Sequence, residues 1–279
     1  MKKKIILSSI LFILLMAGVT TFYVHNKTVS DTNSTLVKNR TADKSKNKHA
    51  NHSKSSSKNA ISTKTANEIN SKFYNHKKIS HSAESALVGY PSTFLNLVDI
   101  SQLTIDGQVI NLHSFVDRDL AYTIADIRIQ DVLKGDKSLT NKTIRVMFPG
   151  GNITKKAMLT DVANKSFMKI SKEEANSEEI VTMEQADMPL PKAGQKYALL
   201  LHKEASGTNN IPGEFWSIDF GAKGMFPLNS QGLYKRVPPI KATGGGGGGE
   251  TSTYDIEVKE NEKMEKGMNE LIQKKRNLK

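Results

Sequence analysis

The chain has 279 residues, a formal net charge of +12 and no cysteine. The missing cysteine excludes a disulfide-stapled scaffold, a thiol nucleophile and a lipid-modified cysteine anchor. The charge is segregated: residues 1–80 hold 15 Lys/Arg against 3 Asp/Glu, and residues 81–279 hold 25 of each. Three parts are therefore expected, a membrane segment over 1–24, a basic linker over 25–80 and a neutral folded domain over 81–279.

Residues 5–24, from Ile5 to Val24, form an uncharged run of 20 residues behind Lys2, Lys3 and Lys4. At about 1.5 Å per residue a helix of this length spans ~30 Å, the hydrocarbon thickness of a bilayer. The preceding lysines predict a cytoplasmic N-terminus with the rest of the chain outside. Phe22 and Tyr23 fall where interfacial aromatics are found. A cleaved signal peptide is the competing reading, in which case the domain is secreted. No A-x-A-like site follows the run, which favours an uncleaved signal anchor. Abundant Lys, Asn, Ile, Ser and Thr together with this segment point to an exported Gram-positive protein, located at the cell membrane as a single-pass chain.

From His25 to Ser80 the composition is dominated by Lys, Ser, Asn, Thr and His, without glycine or proline. Such a stretch buries too little apolar surface to offset its ordering entropy, so a disordered tether is expected. With 12 Lys/Arg and 3 acids it carries +9, which suits contact with anionic cell-wall polymers or lipid head groups. Nucleic acid is a poor partner for an exported chain, and the run lacks interleaved aromatics for base stacking. His49 and His52 make an H-x-x-H whose setting is lysine-rich and disordered, so no metal is assigned to it.

The folded part is expected to begin near residues 80–86. Asp106-Gly107 between Leu103 and Ile110 reads as a hairpin turn. Ala121 to Leu133 alternates as a long strand with Ala125, Ile127 and Ile129 on one face. Lys134-Gly135-Asp136 turns the chain, and Thr143 to Phe148 returns as a strand that Pro149-Gly150-Gly151 stops. Residues 155–167 read as weakly helical, and residues 171–188 as an acidic exposed helix or lid-like loop. Further strands are predicted at Lys196–Leu201, Phe215–Phe220, Gly224–Leu228 and Leu233–Val237, with Trp216, Ile218 and Phe220 sharing a face. The six glycines of 244–249 suggest a mobile loop, followed by a strand at Tyr254–Val258. A helix over 259–276 carries Met264, Met268, Leu271 and Ile272 on one stripe, expected to pack on the domain. Lys274, Lys275, Arg276 and Lys279 close the chain at the helix C-terminus. The sum is a mainly β, single antiparallel barrel or sandwich-like domain with a C-terminal helix.

Chemistry is sparser. Gly244 and Gly249 have P-loop spacing, but Glu250 stands in the lysine position and would repel phosphate. Leu190-Pro191-Lys192-Ala193-Gly194 is similar to a sorting pentapeptide, yet a strand follows it instead of an apolar tail. No G-x-S-x-G and no H-E-x-x-H occurs, and His113 and His202 read as structural. Asp117, Asp119, Asp126, Asp131 and Asp136 are the densest carboxylates, read as a solvated edge rather than a glycosidase pair or a calcium loop. No catalytic, cofactor-binding or metal residue is assigned.

The order Val132-Leu133-Lys134-Gly135-Asp136, then Pro149-Gly150-Gly151, then Gly194-Gln195-Lys196-Tyr197-Ala198-Leu199-Leu200-Leu201, then Gly224-Met225-Phe226 resembles a β-domain of uncharacterised exported Gram-positive proteins. The resemblance covers about residues 120–235. It implies a compact β-domain outside the cell and brings no activity or catalytic residues. The expected function is a membrane-anchored extracytoplasmic binding or interaction module at the cell surface. The alternatives are a wall-active hydrolase using unassigned carboxylates, or a structural subunit of an envelope complex with the C-terminal helix as its contact.

Overall fold

The computed structural model describes residues 60–81, 87, 89–239 and 250–278, all within one compact unit, Asn59–Lys279. The apolar run of 5–24, most of the linker, His49, His52 and the glycines of 244–249 lie outside the described residues. Among the described residues, no helix is long and apolar enough to cross a membrane.

In chain order the elements are α1 (Thr63–Phe73), β1 (Lys77–His81), α2 (Phe94–Ile100), β2 (Leu103–Asp117), β3 (Leu120–Lys134), β4 (Thr143–Pro149), β5 (Gly151–Thr154), α3 (Lys155–Met158), α4 (Lys172–Ala175), β6 (Ile180–Gln185), β7 (Lys196–Glu204), β8 (Phe215–Ile218), β9 (Met225–Pro227) and α5 (Glu250–Asn277), with four short 3-10 turns between them. The domain is mainly β with a C-terminal helix. Its strands form a three-stranded sheet ordered β1-β6-β5 and a six-stranded sheet ordered β2-β3-β4-β8-β7-β9, with β2 pairing β7 as well as β3. Pairing is mostly antiparallel, with β1–β6 and β4–β8 parallel.

The folded part starts earlier than residue 80. Ser62 caps α1 by accepting from the Thr65 amide at 3.1 Å. Asn70 Oδ1 then accepts from the Ala193 amide at 2.8 Å, and Tyr74 donates to the Pro191 carbonyl at 2.7 Å. The polar sequence of 63–80 thus gains order from partners more than 100 residues away, which no local pattern discloses.

Asp106-Gly107 is no turn. It lies inside β2, where register against β3 shifts between Asp106 and Gly107. A Cβ at Gly107 would stand 2.7 Å from Ile127 Cγ2, so glycine here serves close strand approach at a bulge. Pro149-Gly150-Gly151 ends β4 as expected and hands the chain over to the second sheet, where β5 begins at Gly151. Gly150 has φ +93°, and a Cβ there would stand 2.5 Å from the Met183 carbonyl oxygen. Thr123 Oγ1 donates to the Gly150 carbonyl at 2.8 Å, and the Asn152 amide donates to Ser114 Oγ at 2.9 Å.

The six-stranded sheet buries Ile105, Ala125, Ile127, Ile129, Val146, Phe148, Tyr197, Leu199 and Leu201 on its core face, closed at one side by Phe73 of α1. β7 is apolar on both faces because α2 and α5 cover the other. There Ala198, Leu200 and Phe226 meet Leu97, Val98, Met264, Met268 and Ile272, each large apolar side chain contributing about 1.5–3 kcal/mol of burial. The stripe read from 259–276 is therefore spent on the domain itself. Residues 254–258 belong to α5 and not to a strand, since they continue the helix whose buried face anchors it. The 171–188 segment holds β6, central in the smaller sheet with Val181 fully buried, so its acidic start misrepresents a buried strand. Leu233–Val237 makes one bridge, Leu228 with Tyr234, and is otherwise a strap under α5. Trp216 packs partly buried against the main core, while Phe220, left-handed at φ 54°, leaves that face and meets Tyr90 edge-on at 5.4 Å.

Candidate functional site

The far face of β2–β3–β4, opposite the core, collects most of the polar groups that the sequence scatters. Cross-strand register places side chains in rows, because directly paired residues project to one side. The rows are Phe115, Tyr122 and Pro149; His113, Ile124 and Met147; Asn111, Asp126 and Arg145; Gln108, Arg128 and Thr143. One end of the face is apolar, where Ile211 and Phe215 pack on Ile124 with Phe115, Tyr122 and Met147 at the margin. Its other end is polar, with Thr143 exposed to solvent, while His113 is exposed at the β2 edge of the Ile124 row.

Arg145 joins the two ends. Its guanidinium carbon sits 5.9 Å from the centre of the Phe115 ring, and Nη1 donates to the Pro212 carbonyl at 2.6 Å. It thereby holds the β7–β8 loop over the apolar end. His113 Nε2 lies 2.9 Å from Asn111 Nδ2 and 3.3 Å from Asp126 Oδ2. Asp117 and Asp119 flank the tight β2–β3 turn, where Arg118 has φ 55°. Burial raises the Tyr122 hydroxyl above its usual range, with the Asp117 and Asp119 charges adding to the rise and Arg118 opposing it. The face therefore offers an aromatic edge, a cation, an imidazole, an amide and a carboxylate in adjoining rows. That set suits adsorption of a hydroxyl-rich extended ligand, while nothing in it positions a nucleophile.

Of the five carboxylates singled out in the sequence, the fold brings Asp117, Asp119 and Asp126 to this face and its turn. Asp131 and Asp136 lie toward the other end of β3. Asp136 is a cap: it accepts from the Ser138 amide at 2.9 Å and from Ser138 Oγ at 2.8 Å, bonds that hold its carboxyl below the usual range. Asp106 had no local signal, yet it is almost wholly buried, accepting from the Tyr234 hydroxyl at 2.6 Å with Arg276 Nη2 at 3.5 Å. Burial raises its carboxyl; Tyr234, Arg276 and Lys196 pull it back.

His202 is held from both sides. Nδ1 lies 2.8 Å from Asp219 Oδ1, and Nε2 lies 3.0 Å from Glu204 Oε1. Only an imidazolium donates to both acceptors. The Asp219 hydrogen bond raises its pKa, burial opposes, and Asp219 and Glu204 charges raise it further. Beside it, Ser217 Oγ and Asp219 Oδ2 are buried without a hydrogen-bond partner. Because Glu204 occupies Nε2, the group is not a nucleophile–base pair. Sequence reasoning saw His202 at a strand end but not Asp219, which reaches it because Ser217 pairs directly with His202 and Asp219, two residues further on, projects to the same side.

Among the described residues, no group of three or more His, Asp or Glu is placed to hold a metal ion. A hollow of about 290 Å³ runs between the 233–235 strap and α5, with Glu262, Glu265 and Glu270 set among Lys235 and Lys266. Burial pushes the Glu265 carboxyl up, although Glu265 Oε1 accepts from the Arg236 amide at 3.1 Å. No family model, curated protein or solved structure matches this chain.

Proposed function

We propose that the chain is a membrane-anchored, extracytoplasmic interaction module of the bacterial cell surface, and that it engages its ligand through the far face of β2–β3–β4. The observation that carries this reading is the registered set of Phe115, Tyr122, Arg145, Asn111, Asp126 and His113 on one sheet face. Aromatic edges with adjacent amide and charged groups suit the alternating apolar and hydroxyl surfaces of a glycan-type wall polymer. The basic linker adds a second, salt-sensitive contact to anionic polymers, and residues 5–24 tie the protein to the membrane.

The fold supports the same reading at the level of analogy. Because β2 pairs both β3 and β7, the pairings run β2-β3-β4-β8-β7 and return to β2. We read this ring as a small closed barrel of the five-stranded Greek-key kind, in which strand faces of this sort bind oligosaccharides and oligonucleotides. Export favours the saccharide.

The test is co-sedimentation of residues 60–279 with purified cell walls. His113→Ala and Asp126→Asn, both at the solvent side of the face, are expected to lower retention severalfold with thermal stability unchanged. Retention equal to the parent in both variants would remove the face from consideration. One observation favours the hydrolase reading, the raised carboxyl of Glu265 beside Glu262 in the α5 hollow. Release of soluble wall fragments by the parent, lost in Glu265→Gln, would favour it over binding alone.

A further inference from the structure

Most arginines among the described residues are held by an acceptor. Arg145 donates to the Pro212 carbonyl, Arg236 donates to Glu260, and Arg276 lies 3.5 Å from Asp106. Arg118 stands exposed in the β2–β3 turn. Arg128 differs from all of these. It is half-buried on β3, and its Nε is shut from solvent without a hydrogen-bond partner among the described residues. A guanidinium drawn into a sheet face calls for an acceptor, because a buried donor left unpaired is costly.

The next strand holds the matching orphan. Gln108 of β2 pairs directly with Arg128, so both side chains project from one face. Gln108 is only 8% exposed, and its Oε1 is buried without a hydrogen-bond partner. The amide orientation is fixed, because Nε2 donates to the Gly194 carbonyl at 2.9 Å and a flipped amide would set oxygen against oxygen. One row therefore carries an unpaired donor beside an unpaired acceptor. Thr143 of β4 continues the row beyond Arg128, and Lys196 of β7 continues it beyond Gln108. Arg128 and Lys196 are thus rooted two strand spacings apart, about 10 Å, with Gln108 midway. Asp126 borders the row two residues before Arg128, but its Oδ2 is 3.3 Å from His113 Nε2 and Arg145 stands opposite it in register. Asp106 and Asp131 border the other side, and both are buried.

We propose that Arg128, Gln108 and Lys196 form a subsite for the carboxylate of an acidic sugar unit, a uronate, within the glycan that this face engages. The inference rests on the reading of the face as a glycan site and adds the charge of the ligand. The carboxylate takes the guanidinium fork of Arg128, Lys196 supplies a second cation along the chain, and a ring hydroxyl donates to Gln108 Oε1. A neutral sugar leaves the two cations without a counter-charge. A phosphodiester brings acceptors only and leaves Oε1 unpaired. Both orphan atoms are closed to water in the free protein, so docking includes an outward turn of the Arg128 side chain, a rotamer change of the kind common at interfaces.

The experiment measures binding of an oligogalacturonide to the full chain in neutral detergent by calorimetry. The fully methyl-esterified oligomer is the second probe, since it keeps the ring hydroxyls and loses the charge. Parent and variants share the basic linker, so only differences between them are read. Arg128→Gln is expected to weaken binding of the acid roughly tenfold or more, to leave binding of the ester unchanged, and to unfold thermally as the parent does. Arg128→Lys keeps the charge without the fork and should fall between the two; it carries the test alone if the neutral variant unfolds early. Lys203→Gln, an equal loss of charge on another row, should bind the acid as the parent does. Equal loss from Arg128→Gln and Lys203→Gln would mean that net charge alone is read, and would overturn the proposal. Equal loss for acid and ester would show Arg128 reading hydroxyls, which overturns the uronate and leaves the glycan face standing. Acid binding that does not depend on Arg128 would overturn it as well. The wall-retention test of the face turns on His113 and Asp126 instead, so the two failures are told apart.

Discussion

Gly267 sets how closely α5 approaches α2, and its replacement by alanine tests the helix layer. In an unpacked helix the exchange stabilises by about 1 kcal/mol. Here a Cβ at 267 would stand 2.5 Å from Cδ1 and 2.8 Å from Cβ of Phe94, whereas carbon atoms pack at ~3.5–4.0 Å. The ring can rotate away, but the Cβ of Phe94 moves only with its backbone. α2 must retreat by on the order of 1 Å, loosening Leu97 and Val98 in a close-packed interior. Overpacking costs about 1–3 kcal/mol, and a contact with an immobile atom belongs at the upper end. The net expectation for Gly267→Ala is a loss of about 2 kcal/mol, or a Tm roughly 4–8 °C lower for a domain of this size. Thermal unfolding by circular dichroism reads it directly. In a Phe94→Gly background, which removes that Cβ, the same exchange should become neutral or stabilising, a coupling of about 2 kcal/mol. An unchanged or raised Tm in Gly267→Ala, with Phe94 present, would refute the close approach.

Two further outcomes follow from buried charge. Arg236 has a side chain only 1% exposed; it bonds Glu260 at 3.0 Å and the Tyr90 hydroxyl at 2.8 Å, and its guanidinium lies 4.9 Å from the Phe226 ring centre. Arg236→Met should cost about 3 kcal/mol in urea unfolding, the low end for breaking such a pair because Glu260 retains some solvent; a neutral result would show the strap is not fastened there. His202 has a folded pKa raised chiefly by Asp219. Its contribution is therefore full below the unfolded value near 6.5 and declines as pH rises through the raised folded value. The stability difference between the parent and His202→Gln should be greatest in mild acid and shrink toward alkaline pH, and a pH-independent difference would contradict the imidazolium clasp.

What could be read from the sequence followed from local periodicity. The alternation of 121–133 and the doubly apolar Lys196–Leu201 run became β3 and β7, and the Met264, Met268 and Ile272 stripe became the buried face of α5. The failures share a cause in long-range contact. Residues 63–80 look like linker because Asn70 and Tyr74 find their partners at 191–193. Asp106-Gly107 has hairpin composition, yet the crowding of Ile127 makes it a bulge. The V-L-K-G-D and P-G-G motifs proved to be devices of backbone geometry: Gly135 and Gly150 both have positive φ and backbone oxygens within 3 Å of where a Cβ would stand. The candidate face was half legible. Asp126 and His113 drew notice as a carboxylate and a histidine, but their union with Asn111, Arg145, Phe115 and Tyr122 depends on strand register, which includes bulges invisible in the sequence.

The boundary correction also governs the decisive measurement. A truncation at residue 81 would remove α1 and β1, together with Phe73 from the main core, so the folded part must be tested as residues 60–279. Its retention on purified cell walls should be compared with that of residues 25–279 across a salt series. The account predicts that 60–279 binds by itself, that part of its binding survives salt that strips away the advantage of the longer chain, and that His113→Ala and Asp126→Asn weaken the surviving part. Binding by the longer chain alone, abolished by salt, would contradict it and reduce the interaction to the basic linker.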